Sequence, residues 1–408
     1  MDDDLSKISI RALDNGLAFY ACKAQAPVNT FSVCLSVRAG AAYEGDGEHG
    51  LSHFLEHLSL YPHLYGSSYL QNLYFNAFNY AYTSFYETAY LFKAVDYAQG
   101  LLKNSLLTAK GILEGTFLSE SALIQTRKDI LTEYCDFLAK PWQKAYINLL
   151  NRLSMTLPAG WEKDILRADY EKLTQIHRKR YKPENAAIIV VSAYDADTVY
   201  SMLDKIFRLE SDLYFNYQKT KPANSELAML TSKKRTEVNS YSYIACCQRE
   251  KTSAKKTLKN YMLFAVSARA IEISLTEKEE IMSTECAAAV FGNDKYIFSL
   301  KLLKNNDILF RDNYQKFDYK LCFSIGLFEK ARAAAIRQID ELIKYSLAGG
   351  LSSGDIIDCC IEHFLYGEPI ISIENNAAIC YDFLNRLEYG EAKILFESLV
   401  SQFAQNSC

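Results

Sequence analysis

Two histidines one helical turn apart, with a glutamate between them, constrain this chain more than any other feature: His53-Phe54-Leu55-Glu56-His57. Residues at i and i+4 of a helix project from one face. The run lies in a helical pattern at 49–61, so its two imidazoles can converge on one cation. Glu56, three residues from His53, sits on the neighbouring surface, where a carboxylate reaches water held by that cation rather than the cation itself. The order His-x-x-Glu-His is the inverse of the more familiar His-Glu-x-x-His. Two histidines on an ordinary amphipathic helix are the plain alternative, but three of the six histidines fall between positions 49 and 57. A zinc site needs a third protein ligand, and the candidate is Glu133 in a second helical pattern at 118–138.

The remaining composition describes a protein able to carry such a site. With 408 residues, 49% hydrophobic and 23% charged, the chain has apolar material for two domains. Its 45 Lys and Arg against 49 Asp and Glu leave a formal charge of −4, which makes nucleic acid and anionic membrane poor partners. The acidic start, Met1-Asp-Asp-Asp, has neither the apolar core of a secretory signal nor the Arg-rich character of a mitochondrial presequence, and predicts a cytoplasmic location. Residues 58–86 carry no acidic or basic side chain, yet their Ser, Asn and Tyr content, with Pro62 and Gly66, argues against a membrane span. Eleven cysteines without Cys-x-x-Cys spacing read as reduced, mostly buried thiols.

Apolar patterning predicts strands at 17–22, 31–37, 80–92 and 186–191, the last a continuous apolar run. Helices are predicted at 49–61, near 68–75, and at 95–109, 118–138, 168–181 and 197–207. A polar stretch at 210–235 divides a first domain, 1–209, from a second, 236–408. The second repeats the plan coarsely, with strands at 238–247, 287–291, 296–303 and 319–324, a helix at 256–274, and helices from 327 onwards. Strands mixed with long helices in this order indicate α+β layers, a sheet carrying helices on one face.

The pattern Gly40-x-x-x-Glu44-x-x-x-x-x-Gly50-x-x-His53-Phe-Leu-Glu56-His57 resembles the active-site signature of the pitrilysin and mitochondrial processing peptidase family of inverse-motif zinc peptidases. Ala81-Tyr82-Thr83-Ser84 with Thr88 and Tyr90 is similar to the family's strand after the metal helix. The segment 127–133 resembles its third-ligand helix, and Tyr181-x-Pro183-Glu-Asn185 with the apolar run behind it resembles the close of its first domain. The resemblance implies two homologous α+β domains, each a mainly antiparallel sheet with helices on one face, enclosing a chamber. It also implies Zn2+ held by His53, His57 and Glu133, Glu56 as general base, and Ala81 and Tyr82 as substrate-binding positions. Zinc on three protein ligands keeps an open position, acidifies water and polarises a carbonyl, and Glu56 would move the proton to the leaving amine.

Departures from the family pattern sharpen the expectation. Thr126 stands where a supporting glutamate precedes the third ligand by seven residues. The family's Asn-Ala-x-Thr reads Tyr80-Ala81-Tyr82-Thr83 here, and a later glutamate is displaced, with Tyr86 at its position and Glu87 beside it. In the second domain, Thr276 and Ser283 occupy the positions of an Arg and Tyr that grip substrate; a pair near Arg269 with Tyr261 or Tyr296 is the alternative placement. The expected molecule is a zinc endopeptidase acting on short or unfolded peptides bound as a strand beside 80–84. It would be the zinc-bearing half of a heterodimer whose homologous partner supplies Arg and Tyr, serving leader-peptide removal in peptide natural product maturation. General oligopeptide degradation and a non-catalytic subunit of a processing complex are the alternatives. The aromatic tract between 57 and 90 reads as core and interface or as a chamber wall, and His49 and His63 as hydrogen-bonded or solvated bystanders.

Overall fold

A computed structural model describes residues 7–23, 30–65, 80–95, 100–139, 156–208, 234–235, 240–248, 254–277, 281–291, 295–304, 320–349 and 351–405. They fall into two compact units, and neither is continuous in sequence. The first takes Met1–Phe137, Met155–Asn224 and Leu351–Ile370; the second takes Leu138–Ser154, Ser225–Gly350 and Ile371–Cys408. Most of the 210–235 stretch, the helix near 68–75 and much of the aromatic tract lie outside the described residues.

The first unit is built on six strands: β1 (Ser9–Ala12), β2 (Ala18–Lys23), β3 (Thr30–Val37), β4 (Tyr80–Thr83), β5 (Thr88–Val95) and β6 (Ala186–Ser192). Their order is β1-β2-β6-β3-β5-β4, with β2–β6 parallel and the other four pairs antiparallel. Strand alternation sorts the side chains cleanly. Phe19, Val33, Leu35, Tyr90, Ile188 and Val190 point into one core, shared with helices α1 (Leu51–Tyr65), α2 (Leu101–Glu114), α3 (Leu123–Ala139), α4 (Glu162–Arg167), α5 (Tyr170–Arg180) and α6 (Ala196–Phe207). The alternate residues Tyr20, Cys34, Ala89, Leu91, Ile189 and Val191 are equally buried.

Those residues need a second cover, and it comes from the far end of the chain. In the second unit lie α7 (Ala254–Thr276) and α8 (Ile325–Gly349); the next helix, α9 (Ser353–Tyr366), returns to the first unit's sheet. Ile356, Ile357, Cys360, Ile361 and Phe364 of α9 pack on the alternate face. Ser32 Oγ donates to Ser353 Oγ at 2.9 Å, Tyr20 Oη pairs with His363 Nδ1 at 2.7 Å, and Arg38 donates to the Phe364 carbonyl while lying over its ring. The architecture is α+β with a mainly antiparallel sheet, and α9 adds a helix to the face opposite the expected layer.

The second unit has a four-stranded antiparallel sheet, β7 (Lys234–Arg235), β8 (Ser240–Gln248), β10 (Lys295–Lys304) and β9 (Ile281–Phe291), in that order. Helices α7, α8, α10 (Ile373–Arg386) and α11 (Tyr389–Gln405) bury one cluster around Phe264, Ile271, Phe328, Leu384 and Phe396.

Three sequence expectations are corrected. Val95 ends β5 rather than beginning a helix, and α2 starts at Leu101, after Gly100. Gly50, with φ +91°, stays outside α1, so that helix begins at Leu51. Residues 320–324 form no strand; Ser324 Oγ accepts the Leu327 N–H at 3.1 Å and starts α8, with Phe323 buried in the helical cluster.

Candidate metal and catalytic site

The first turn of α1 is fixed from three directions, and the cause is local sequence. Glu44 accepts the Gly50 N–H at 2.8 Å and the Ser52 N–H at 2.7 Å, one on each oxygen, which satisfies two donors the helix leaves open and places a carboxylate at its positive end. Burial nonetheless pushes the Glu44 carboxyl up to about 7, against the lowering effect of those N–H groups. Gly50 also presses on Gly160: a Cβ on Gly160 would lie 2.3 Å from Gly50 Cα, and both glycines have positive φ. No other residue type fits either position. The close approach lets Trp161 N–H bond the His49 carbonyl at 3.3 Å.

The third ligand's helix is anchored as firmly. Arg127, two turns before Glu133 on α3, donates to the Ile165 carbonyl at 3.3 Å and the Ala168 carbonyl at 2.5 Å, and lies near the Phe54 ring. With α1 and α3 so held, His53, His57 and Glu133 meet. Their Nε2 and Oε2 atoms are separated by 3.1 Å (His–His), 3.5 Å (His53–Glu133) and 3.6 Å (His57–Glu133). Among the described residues this is the one group of three His, Cys, Asp or Glu whose donor atoms lie within 4.8 Å of one another. Two imidazoles and a carboxylate converging this closely suit Zn2+, whose ligands are nitrogen, sulfur and carboxylate oxygen, and leave a fourth position free.

The electrostatics of the triad fit a cation. Burial works against charge on His53, yet the hydrogen bond to Glu133 and the charges of Glu56, Glu133 and Glu44 raise its pKa. Burial first, then the His53 charge, hold His57 down to about 4. Hydrogen bonding to His53 lowers the Glu133 carboxyl. Three groups that compete for one proton offer a place for a divalent ion.

Glu56 is 6% exposed and its carboxyl is raised by burial. Thr83 Oγ1, at the end of β4, donates to Glu56 Oε2 at 2.7 Å. Behind it, Thr83 and Thr88 hydroxyls are 3.1 Å apart, Thr88 donates to the Ala39 carbonyl at 2.5 Å, and Tyr90 and Tyr181 hydroxyls meet at 2.7 Å. β4 and the turn after it are placed by Gly40, where a Cβ would come within 2.6 Å of the Ser84 carbonyl. β4 is an edge strand: β5 pairs with one side, and no described strand pairs with the other. Ala81 packs toward the α1 face and Tyr82 toward the α9 face.

The sequence reading named the triad and Glu56, which the structure places together, but it did not give Thr83 or Glu44 a task. Their signal was present, since both lie inside the quoted motifs, but the contacts cross 27 residues in one case and a turn in the other. Thr126 Oγ1 and His53 Nδ1 are buried without hydrogen-bond partners, so no described side chain replaces the supporting glutamate. His49 stands apart, its Nδ1 3.3 Å from Thr156 Oγ1; the His63 side chain lies outside the described residues. In the second unit, Thr276 Oγ1 donates to its own helix at Glu272, and Arg269 is paired with Glu272. The side chains of Ser283 and Tyr296 are outside the described residues.

The His-x-x-Glu-His helix thus stands beside an edge strand in an α+β unit, and the chain has a second unit with its own sheet and helices. Residues 20–157 match the family model described as Insulinase (Peptidase family M16). It is 27% identical over 193 residues to a chloroplastic stromal processing peptidase of Oryza sativa subsp. japonica, covering 45% of this chain and 15% of that protein. It is 22% identical over 416 residues to a zinc protease PQQL-like of Arabidopsis thaliana, covering 95% of this chain and 40% of that protein. The chain thus spans well under half the length of these relatives. In fold it is similar to the first half of the periplasmic protease PqqL from Escherichia coli, with a TM-score of 0.79, 14% identity, and 99% of this chain and 91% of that one covered. No helix of the described residues is long and apolar enough to cross a membrane.

Proposed function

We propose that the chain is a zinc metalloendopeptidase in which His53, His57 and Glu133 hold the metal and Glu56 is the general base. The observation that carries this reading is the convergence of two imidazoles and a carboxylate next to a buried glutamate held by the edge strand. Zinc bound there supplies Lewis acidity that polarises a carbonyl and acidifies water. The chain's own residues do the rest. A peptide pairs with the free side of β4, past Ala81 and Tyr82, which holds it extended and brings its backbone to the site. Thr83 fixes Glu56 Oε2, leaving Oε1 to take a proton and return it to the departing amine. Burial raises the Glu56 carboxyl, which makes it a stronger base than an exposed glutamate.

The substrate class is short or unfolded peptide, with leader-peptide removal as the physiological task and the cytoplasm as the location, in keeping with eleven cysteines that show no disulfide spacing. The chain is the zinc-bearing member of a heterodimer, since neither Thr276 nor Ser283 can replace an arginine fork or a phenol, and a homologous partner supplies those groups. Purified chain should contain about one zinc per molecule, lost in His57→Ala and Glu133→Ala. Glu56→Gln should keep the metal and lose peptide hydrolysis. Zinc bound with no hydrolysis by wild type, alone or with a co-purifying partner, would instead make this a non-catalytic subunit.

A further inference from the structure

The metal helix and the edge strand are tied together at a second place, away from the Thr83–Glu56 bond. One short turn of helix, Ala41–Tyr43, runs beside the turn that follows β4: the Ala41 N–H donates to the Ser84 carbonyl at 3.1 Å and the Ala42 N–H to the Phe85 carbonyl at 2.7 Å. α5 holds it as well. Arg180, at the end of that helix, donates to the Tyr43 carbonyl and lies over the Tyr43 ring, which the Tyr86 ring meets edge-on at 6.4 Å. Glu44 is the next residue, and its N–H closes the short turn on the Ala41 carbonyl at 3.2 Å. Both of its carboxylate oxygens are taken by the Gly50 and Ser52 N–H groups, and Ser52 immediately precedes His53.

We infer that Glu44 is a positioning residue for the metal: carried on a strut bonded to the edge strand's turn and to α5, it locks the start of α1 so that His53 meets His57 and Glu133. The inference rests on the metal-binding part of the proposed function. One tie between a helix and a strand leaves the helix free to pivot about it. Two ties, Thr83 on Glu56 and Glu44 on the helix start, remove that freedom. A pivot matters most at His53. The ring of a metal-binding histidine is ordinarily aimed by a hydrogen bond from its other nitrogen, but His53 Nδ1 is buried without a partner among the described residues. Its aim therefore depends on the backbone that Glu44 holds. The Glu44 charge acts in the same sense, since it favours positive charge at His53. Asp195 is the contrasting case: its side chain accepts the Thr198 N–H at 2.8 Å and caps α6, a helix that carries no member of the triad.

The experiment reads the metal rather than turnover. Metal-free wild type, Glu44→Gln and Asp195→Ala are titrated with Zn2+ against a competing chelator to give Kd, with Co2+ to record the visible ligand-field spectrum, and with urea to give their stability. Glutamine keeps one acceptor oxygen and sets an NH2 group where the other was, so one N–H of the helix start loses its partner and the charge is gone. Glu44→Gln should weaken Zn2+ binding by about tenfold or more and alter the Co2+ spectrum. Asp195→Ala should lower the urea midpoint, keep Kd within about twofold of wild type and leave the spectrum unchanged. Should Glu44→Gln fail to fold, Glu44→Asp, which keeps the charge on a shorter stem, is measured in its place and judged by the same outcomes. A Kd within about twofold of wild type in the Glu44 variant, or an equal loss in Asp195→Ala, overturns the positioning role and leaves the metal site standing. Wild type that binds no Zn2+ overturns both.

Discussion

The hydroxyl of Thr83 sets the side chain on which catalysis would turn. It fixes one oxygen of Glu56 across the gap between edge strand and metal helix, while the neighbouring Thr88 hydroxyl, 3.1 Å away, gives its own proton to the Ala39 carbonyl. Removing a hydrogen bond to a charged group costs roughly 1.5–3 kcal/mol. Thr83→Val should therefore lower kcat/KM by about tenfold or more, through kcat rather than KM, with zinc content unchanged. Thr83→Ser, which keeps the hydroxyl, should recover most of the loss. Equal activity in valine and serine variants would show that Glu56 is positioned by its burial alone.

At the scale of elements, the metal helix depends on the helices behind it, and His177 joins two of them. From α5 its Nε2–H donates to the Ile112 carbonyl of α2 at 2.9 Å, and its ring stacks on Tyr181 at 4.4 Å. Gly115, the left-handed residue that ends α2, makes room: a Cβ there would stand 2.8 Å from the ring. Burial pulls the His177 pKa from 6.5 down to about 4, outweighing the Ile112 hydrogen bond. The neutral ring is thus the folded form, and its contribution is complete above the unfolded value of 6.5. It is lost as pH falls from 6.5 through 4, where the unfolded chain binds the additional proton. The full shift corresponds to roughly 3 kcal/mol. Urea melts between pH 7 and 4 should show stability falling across this window, with a flatter slope in His177→Gln; an unchanged slope would place the acid sensitivity elsewhere.

For the whole molecule, the consequence of α9 is that the first unit is not a continuous stretch of chain. Its sheet is apolar on both faces, and Ile356, Ile357, Ile361 and Phe364 cover the face that α1 to α6 leave open. A fragment ending at residue 209 would expose Tyr20, Cys34, Leu91, Ile189 and Val191 to water, at about 25 cal/mol for each Å2 of apolar surface. Such a fragment should be aggregation-prone and bind the dye ANS, and a peptide covering 351–370 added in trans should reduce dye binding and raise its melting temperature. A fragment that folds cooperatively alone would show that α9 is dispensable.

The sequence alone determined the pieces that depend on near neighbours. The i, i+4 spacing of His53 and His57 dictates a shared helix face, and the unbroken apolar run of β6 already required a strand buried on both sides. Tertiary structure decided which distant groups complete those pieces. Glu133 looks like any helical glutamate until Arg127 docks α3 beside α1, Thr83 like any strand threonine until β4 meets Glu56, and α9 like one more helix of the second half until it closes the first unit's sheet. Periodicity is written into local spacing, whereas the partner of a buried group is chosen by packing between segments tens to hundreds of residues apart, and no local pattern records that choice.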